Sequence, residues 1–494
     1  MRNDSSIRFL EYDPLIDAAY PSSHEQYLNP IYRHIAVSYD TLRNPSGYTI
    51  ITASGPHEKA QEYDFSNNEQ YHGALSYFLL KAWKESGGPA VKQQLIYQYL
   101  STKVRKTCLG QNPMCYGTNN QGFFGGVLTG INQTSILVVR KPDKSIQLQA
   151  GHIHGICDGD QFSLYSFGDI NPESGEPIIA EVIYVRVLVS DLKLLNIAST
   201  QVRTGWVATP LTRLSLRKFP IQIQPDAPYL VHWETARKEH QSFNIIDRSQ
   251  TPEQPPFFLV IQNNENGYDI KDESSTVIKQ PNTIYDKRGN PSYILDIIEH
   301  IARFKLVKNI VNEALTDPIY PFRESFNIKL TNSIGKDFYP GCSQTGWFQP
   351  GCSHLECSVE IKDGDKLYLH VNNKGDYDLY IYIYSLGPFW NVENALSANY
   401  VVISSSPMYN VTRDWKKELG VEASDDIKLQ GRYQYEEIVK VFFINRLTSF
   451  ALLELPEFGK PMKGGRFCTD RATGGDGPSE NWAAVNFRIR VSSK

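Results

Sequence analysis

Apolar and polar positions alternate along most of this chain with the period of two expected of strands, and a few stretches keep helical spacing instead. Residues 48–53 (YTIITA) are a β-branched run bounded by Pro45-Ser46-Gly47 and Gly55-Pro56, which predicts a buried central strand of an α/β sheet. Apolar residues at 74, 75, 78, 79, 82 and 83 predict a helix that stops near Gly87-Gly88. A second helix is expected from Val91 to Val104, with Leu95, Ile96, Tyr99 and Leu100 on one face.

After Gly130 the texture turns to strands over 135–140, 145–149 and 161–167, followed by one long strand over 178–194. Residues 219–290 carry poorer strands, of which PFFLVIQ (256–262) is the clearest. A helix follows over 293–314, with Ile294, Ile297, Ile298, Ile301, Phe304, Leu306 and Val307 as its apolar face. Residues 326–405 are strand-rich again, and LYIYIYSL (379–386) alternates so cleanly that one face must be buried. A helix over 435–443 and strands over 449–455 and 486–491 close the pattern.

Composition narrows the class. With 41% hydrophobic and 21% charged residues the chain has enough apolar surface to fold, and 494 residues correspond to about three or four domains. Fifty Lys and Arg against 54 Asp and Glu leave a net charge of −4, which gives no polyanion-seeking field, so no nucleic-acid partner is expected. Apolar runs such as Ile136 to Val139 fall far short of the roughly 20 residues that cross a bilayer, and the first residues begin no signal peptide. Seven cysteines, odd in number and irregularly spaced, suit a reducing compartment. The expectation is a cytoplasmic protein with no membrane partner.

Candidate chemistry is sparse. Ser54 ends the first strand ahead of a glycine, but Thr52-Ala53-Ser54-Gly55 lacks the earlier glycine of a nucleophile elbow. His152 and His154 would share one face of a strand and could share a metal, although His-Gly at a turn is the plainer reading. Cys342, Cys352, His354 and Cys357 cluster without a C-x-x-C knuckle, so loop thiols are expected there and no metal is assigned. No phosphate-cradling glycine loop occurs, since Gly464-Gly465 and Gly474-Gly475 lie in polar sequence, and no cofactor is expected. Asp-Gly-Asp recurs at 158–160 and 363–365, each time ahead of an alternating run. Both copies read as tight turns leading into strands rather than as calcium loops.

Three ordered motifs carry a resemblance. At ITASGPHEKAQEYDF, HGALSYFLLKAW and QNPMCYG the chain resembles the C-terminal half of the caspase/metacaspase-like cysteine peptidases, particularly large multidomain fungal members. The matching residues are Glu58-Lys59-Ala60-Gln61-Glu62, Gly73-Ala74-Leu75-Ser76 and Gln111 to Gly117. More loosely, AGHIHGICDGDQFSLYS, the helix beginning ILDIIEHIARF and the segment from VEIKDGDKLYLHV to YIYIYSLGP look like modules that follow such domains.

In that family the catalytic histidine and cysteine precede the strand matched at 48–53. Only about 47 residues stand there in this chain, with His24 and His34 but no cysteine, and the first cysteine is Cys108. A thiolate nucleophile and its imidazole base are therefore both missing, and the resemblance implies no catalytic residue here. It implies an α/β caspase-like half-domain, an incomplete sheet with flanking helices, over 1–128. A β-rich module (129–218), an α+β module ending in a long helix (219–316) and a β-rich domain with a mixed α/β tail (317–494) would follow.

The expected function is that of a caspase-like family member, non-catalytic as given, acting in regulation or interaction. Two alternatives stay open: an active cysteine endopeptidase whose catalytic N-terminal half is missing from the gene model, and a structural or ligand-binding β-protein. Glu58 and Glu62 are substrate-pocket candidates, though a solvated carboxylate pair at a helix start explains them as well. A protein partner is expected to cover the exposed sheet edge, and the oligomeric state is open.

Overall fold

The computed structural model describes residues 5–7, 49–55, 58–65, 70–85, 93–108, 111–117, 136–166, 177–196, 202–224, 230–247, 256–262, 267–278, 289–310, 312, 321–340, 358–396, 400–403, 405, 413–420, 434–458 and 481–492. Among the described residues strand accounts for 44% and helix for 21%, so β-structure dominates there.

The first unit corrects the expected caspase-like half-domain. It contains β1 (Ser5–Ile7), β2 (Thr49–Thr52), β3 (Gln61–Asp64), β4 (Tyr71–Gly73), α1 (Ala74–Glu85), α2 (Gln93–Thr107) and β5 (Met114–Gly117). Among the described residues β2 pairs only with β5, antiparallel, and β1, β3 and β4 form a separate antiparallel sheet. No parallel sheet with flanking helices is built from them. The physical reason lies in burial: β2 and β3 have four residues each and are half-buried throughout, whereas a parallel strand covered on both sides needs a continuous apolar run. Helices α1 and α2 cover another unit instead. Their buried residues Phe78, Ala82, Tyr99 and Leu100 share a core with Leu137 and Val207 on the outside of the next module.

That module is a closed antiparallel barrel of β6 (Ile136–Arg140), β7 (Ile146–Leu148), β8 (Gln161–Tyr165), β9 (Ile178–Val185), β10 (Ser190–Leu194) and β11 (Val207–Pro210), in the order β10-β7-β6-β11-β8-β9. Six strands enclose only enough room for side chains, and Val138, Leu148, Phe162, Leu164, Ala180 and Val182 fill it. The long strand expected over 178–194 is two strands joined by a turn, closed by Arg186 N–H donating to the Val189 carbonyl. That turn holds neither glycine nor proline. Leu188 and Val189 at its tip are buried against the C-terminal domain, so docking rather than turn chemistry shapes it.

The third unit is a mixed sheet of β12 (Ile221–Gln224), β13 (Ile245–Asp247), β14 (Phe258–Gln262) and β15 (Tyr268–Lys271), ordered β13-β12-β14-β15. Helices α3 (Leu230–Glu239) and α4 (Pro291–Asn309) share its core. Helix α4 starts with Asn290, whose side chain accepts from Ser292 N, and with Pro291 in the first turn. It buries Ile294, Ile297, Ile298 and Ile301 on the expected face.

The C-terminal unit is a two-sheet sandwich. One sheet joins β16 (Phe326–Asn332), β17 (Asp337–Phe338), β19 (Lys366–Asn373) and β23 (Asp414–Gly420). The other runs β18 (Ser358–Lys362), β25 (Trp482–Ser492), β24 (Gln434–Ile444), β20 (Leu379–Leu386), β21 (Val392–Asn394), with β22 (Val401–Ile403) also on β20. Leu330, Leu369, Ile383, Val441 and Phe487 lie in the core between the sheets.

Strand β20 is buried on both faces, where the alternation predicted one. Its second face carries Tyr382, Tyr384 and Leu386 into a core shared with Ile153, Leu188 and Val189 of the barrel and Val307 of α4. The helix expected over 435–443 is part of the 11-residue β24. The strand expected over 449–455 is a buried loop with a 3₁₀ turn at Ala451–Leu453. Tertiary burial overrides local preference in both segments.

Lys440 joins the sandwich to α4. It is fully buried, and its Nζ donates to the carbonyls of Lys308 (3.2 Å) and Ile310 (2.8 Å) and to Asn486 Oδ1 (3.1 Å). Burial pulls its pKa down to about 7, while three acceptors and a helix C-terminus match the three N–H donors of an ammonium. No described helix is long and apolar enough to cross a membrane.

Candidate functional site

The motif residues of the first unit converge on one another. Gln111 Nε2 donates to the Ala53 carbonyl (2.9 Å), and its Oε1 accepts from Gln61 N (3.1 Å). Glu58 Oε2 accepts from Gly55 N (3.1 Å) and Asn112 N (2.7 Å), and Asn112 Nδ2 donates to its second oxygen. Tyr97 of α2 holds the next residue through the Pro113 carbonyl (2.7 Å). Glu58 thus latches the end of β2 to the start of β5. Glu62 lies apart, in the middle strand of the small sheet, opposite Ser6 and Gly73. The structure does not bring the two carboxylates into one site.

The described hydroxyl and thiol candidates lack a base. Ser54 Oγ donates to the Glu58 carbonyl (3.3 Å). Cys108 is fully buried, and burial raises its thiol pKa to about 12 despite a hydrogen bond with Tyr63. A buried, protonated thiol is a poor nucleophile. Cys342, Cys352, His354, Cys357, His24, His34 and the two Gly-Gly pairs lie outside the described residues.

His152 and His154 sit in a 3₁₀ turn, not a strand, with His152 exposed and His154 buried. The His154 Nδ1 accepts from Gly151 N (3.0 Å) and its Nε2 lies 3.1 Å from Thr448 Oγ1. This is an imidazole–hydroxyl pair, but its polarity is the reverse of a catalytic one. Because Nδ1 accepts, the single proton of the neutral ring is on Nε2, which therefore donates to Thr448 and cannot take its proton. Burial lowers the His154 pKa to about 3. The pair is a strut between barrel and sandwich, closed on one side by Phe450 at 5.2 Å.

A charged network lies where the barrel and the third unit meet. His240 stands 3.6 Å from Asp296 and 3.8 Å from Glu299, and its hydrogen bond to Glu299 raises its pKa. Burial pushes the Glu299 carboxyl up, but His240, Arg303 and Arg213 outweigh it and hold it low. Beside it, His300 Nε2 meets the Trp390 carbonyl at 3.0 Å, and burial lowers its pKa to about 4. Every charge here has an opposite partner, as in a structural network. No group of three or more His, Cys, Asp or Glu among the described residues is placed to hold a metal ion.

The two Asp-Gly-Asp segments are the turns expected. Gly159 and Gly364 have φ of 84° and 85°, open to glycine at no steric cost. In each the second aspartate accepts from the backbone N three residues earlier, Asp160 from Cys157 (2.8 Å) and Asp365 from Lys362 (2.9 Å). Their carboxylates brace turns.

A cleft of about 830 Å³ opens at the end of the sandwich beside the second of these turns. One side is the turn between β16 and β17, with Asn332, Ser333 and Ile334, and the other is formed by the ends of β18, β24 and β25. The register sets Arg490 beside both Glu360 and Glu436. Ile361 and Val491 close the bottom, with Tyr435, whose hydroxyl is buried and has no hydrogen-bond partner. Burial first, then the charges of Glu437 and Asp363, raise the Tyr435 pKa, so this hydroxyl stays a donor. Sequence spacing could not find this site, because its residues come from separate segments spread between Asn332 and Ser492. Only the Asp-Gly-Asp at 363–365 marks its border.

No family model matches the chain, and no curated protein matches it.

Proposed function

We propose that this chain works without catalysis, as a structural and ligand-binding β-protein. The observation that carries the reading is the use of the motif side chains. Glu58, Gln111 and Asn112, three polar residues of the peptidase-like motifs, give hydrogen bonds to one another and to the backbone they connect. A protonated thiol at Cys108 and the reversed polarity of His154 and Thr448 support the same conclusion.

The test is hydrolysis of fluorogenic peptides ending in Arg, Lys or Asp by the purified full chain, with and without iodoacetamide. No turnover above buffer is expected. Alkylation-sensitive cleavage would instead support an active caspase-like endopeptidase, and the transcript upstream of Met1 would then be read for the two catalytic motifs.

A further inference from the structure

We propose that Arg213 and Arg303, where the barrel meets α4, bind a dianionic phosphate group. The inference rests on the ligand-binding reading above and names a site and a ligand class for it.

The fold brings the two arginines together from different units. Arg213 follows β11 and precedes the 3₁₀ turn Leu214–Lys218, and Arg303 lies one turn beyond Glu299 on α4. Turn and helix meet over Gly155, where a Cβ would stand 3.0 Å from Leu306 and 3.9 Å from Ser215 Oγ. Both arginines are half-buried, and their charges are close enough to repel each other. Burial first, then Arg213, pulls the Arg303 pKa down to about 9, and Glu299 offsets only part of the fall. Burial lowers Arg213 as well, against the pull of Glu299 and Asp160.

Each of these charges has an opposite one nearby, but the guanidinium donors are not matched. Arg213 gives only its backbone N–H, to Ser242 Oγ (2.9 Å), and neither guanidinium donates a hydrogen bond to a described residue. The neighbouring carboxylates are committed elsewhere. Asp160 accepts from Leu214 N (2.6 Å) with one oxygen and from Cys157 N (2.8 Å) with the other, and Glu299 is engaged by His240. The guanidinium nitrogens are not sealed from solvent, so a solute can reach them. Two planar forks that repel each other select an oxyanion with two charges and more than two oxygens. A carboxylate would fill one fork and leave the other, whereas a tetrahedral phosphate presents oxygens to both. A net charge of −4 draws no nucleic acid, so the phosphate belongs to a small solute.

The experiment is calorimetric titration of the full chain with inorganic phosphate, phenyl phosphate and acetate at equal ionic strength. Saturable binding of one or both phosphates is expected, and acetate should not bind. Tighter binding of phenyl phosphate would place the ligand on a phosphate monoester, and tighter binding of inorganic phosphate on the free ion; either upholds the site. Arg213→Met and Arg303→Met should each weaken the binding about ten- to hundredfold, the range of hydrogen bonds to a charged group. Lys193→Gln, which removes one positive charge from β10, should leave it unchanged. Thermal unfolding without phosphate should be alike in all four proteins, because neither arginine gives up a side-chain hydrogen bond. Absence of saturable phosphate binding by the native chain overturns the proposal whatever the variants do. Equal binding of acetate, binding that survives both arginine substitutions, or a midpoint lowered in both, which would mark the arginines as structural counter-charges, would overturn it too. Any of these could occur while the chain stays inactive on the fluorogenic peptides, so the two readings fail separately.

Discussion

His154 should make the seam between barrel and sandwich sensitive to acid. The folded protein holds this imidazole neutral, with its pKa lowered from 6.5 to about 3 by burial. The unfolded chain takes up a proton as pH falls through 6.5, whereas the folded chain does so only near 3. The stabilisation is therefore complete above 6.5 and is lost progressively between 6.5 and 3. Each pH unit in that window costs about 1.4 kcal/mol, so at pH 5 about 2 kcal/mol is gone, a large share of a typical folding free energy of about 5–15 kcal/mol.

Urea unfolding at pH 7.5 and pH 5.0, for the native chain and His154→Gln, isolates this contribution from the other histidines. The glutamine amide can still donate to Thr448 but does not titrate. It should cost about 1–2 kcal/mol at pH 7.5, from the acceptor lost to Gly151 N, and lose about 2 kcal/mol less than the native chain on acidification. An equal acid loss in both proteins would show that His154 is not held neutral by its surroundings.

Four further outcomes follow from the same structure. Lys440→Met strands the carbonyls at the end of α4 and should cost about 3 kcal/mol, read as a lower urea midpoint. Gly151→Ala places a Cβ 2.3 Å from the Arg186 carbonyl oxygen and 2.6 Å from that of Val187, and should cost about 3 kcal/mol or more in thermal unfolding. Gly335→Ala, where φ is 84° but nothing lies within 4 Å, should cost only about 1 kcal/mol. In native protein at pH 8, iodoacetamide should modify half-buried Cys157 before Cys108 or Cys115, with peptide mass spectrometry as the readout. Rapid native labelling of Cys108 would contradict its protonated, buried state.

Local chemistry was legible in the sequence where one segment contains its own reason. Helices α1, α2 and α4 follow from apolar spacing, and α4 begins where Asn290 and Pro291 announce a start. The two Asp-Gly-Asp turns follow from a glycine that tolerates positive φ and an aspartate that bonds its own backbone. The peptidase-like motifs were visible too, but their spacing does not reveal that Glu58 and Gln111 act on backbone over 50 residues away in the chain.

Elsewhere only the tertiary structure decided. The turn inside 178–194 is apolar because its tip docks on the sandwich, and β24 carries a lysine in its buried run because α4 presents carbonyls to it. The cleft joins strand ends and a turn that no spacing relates. Hydrophobic pattern and turn chemistry are properties of neighbouring residues, so the sequence by itself determined helices, turns and the prevalence of strands. Strand partners, the second buried face of β20 and the polarity of His154 depend on surfaces from distant segments, and only the folded chain brings those together.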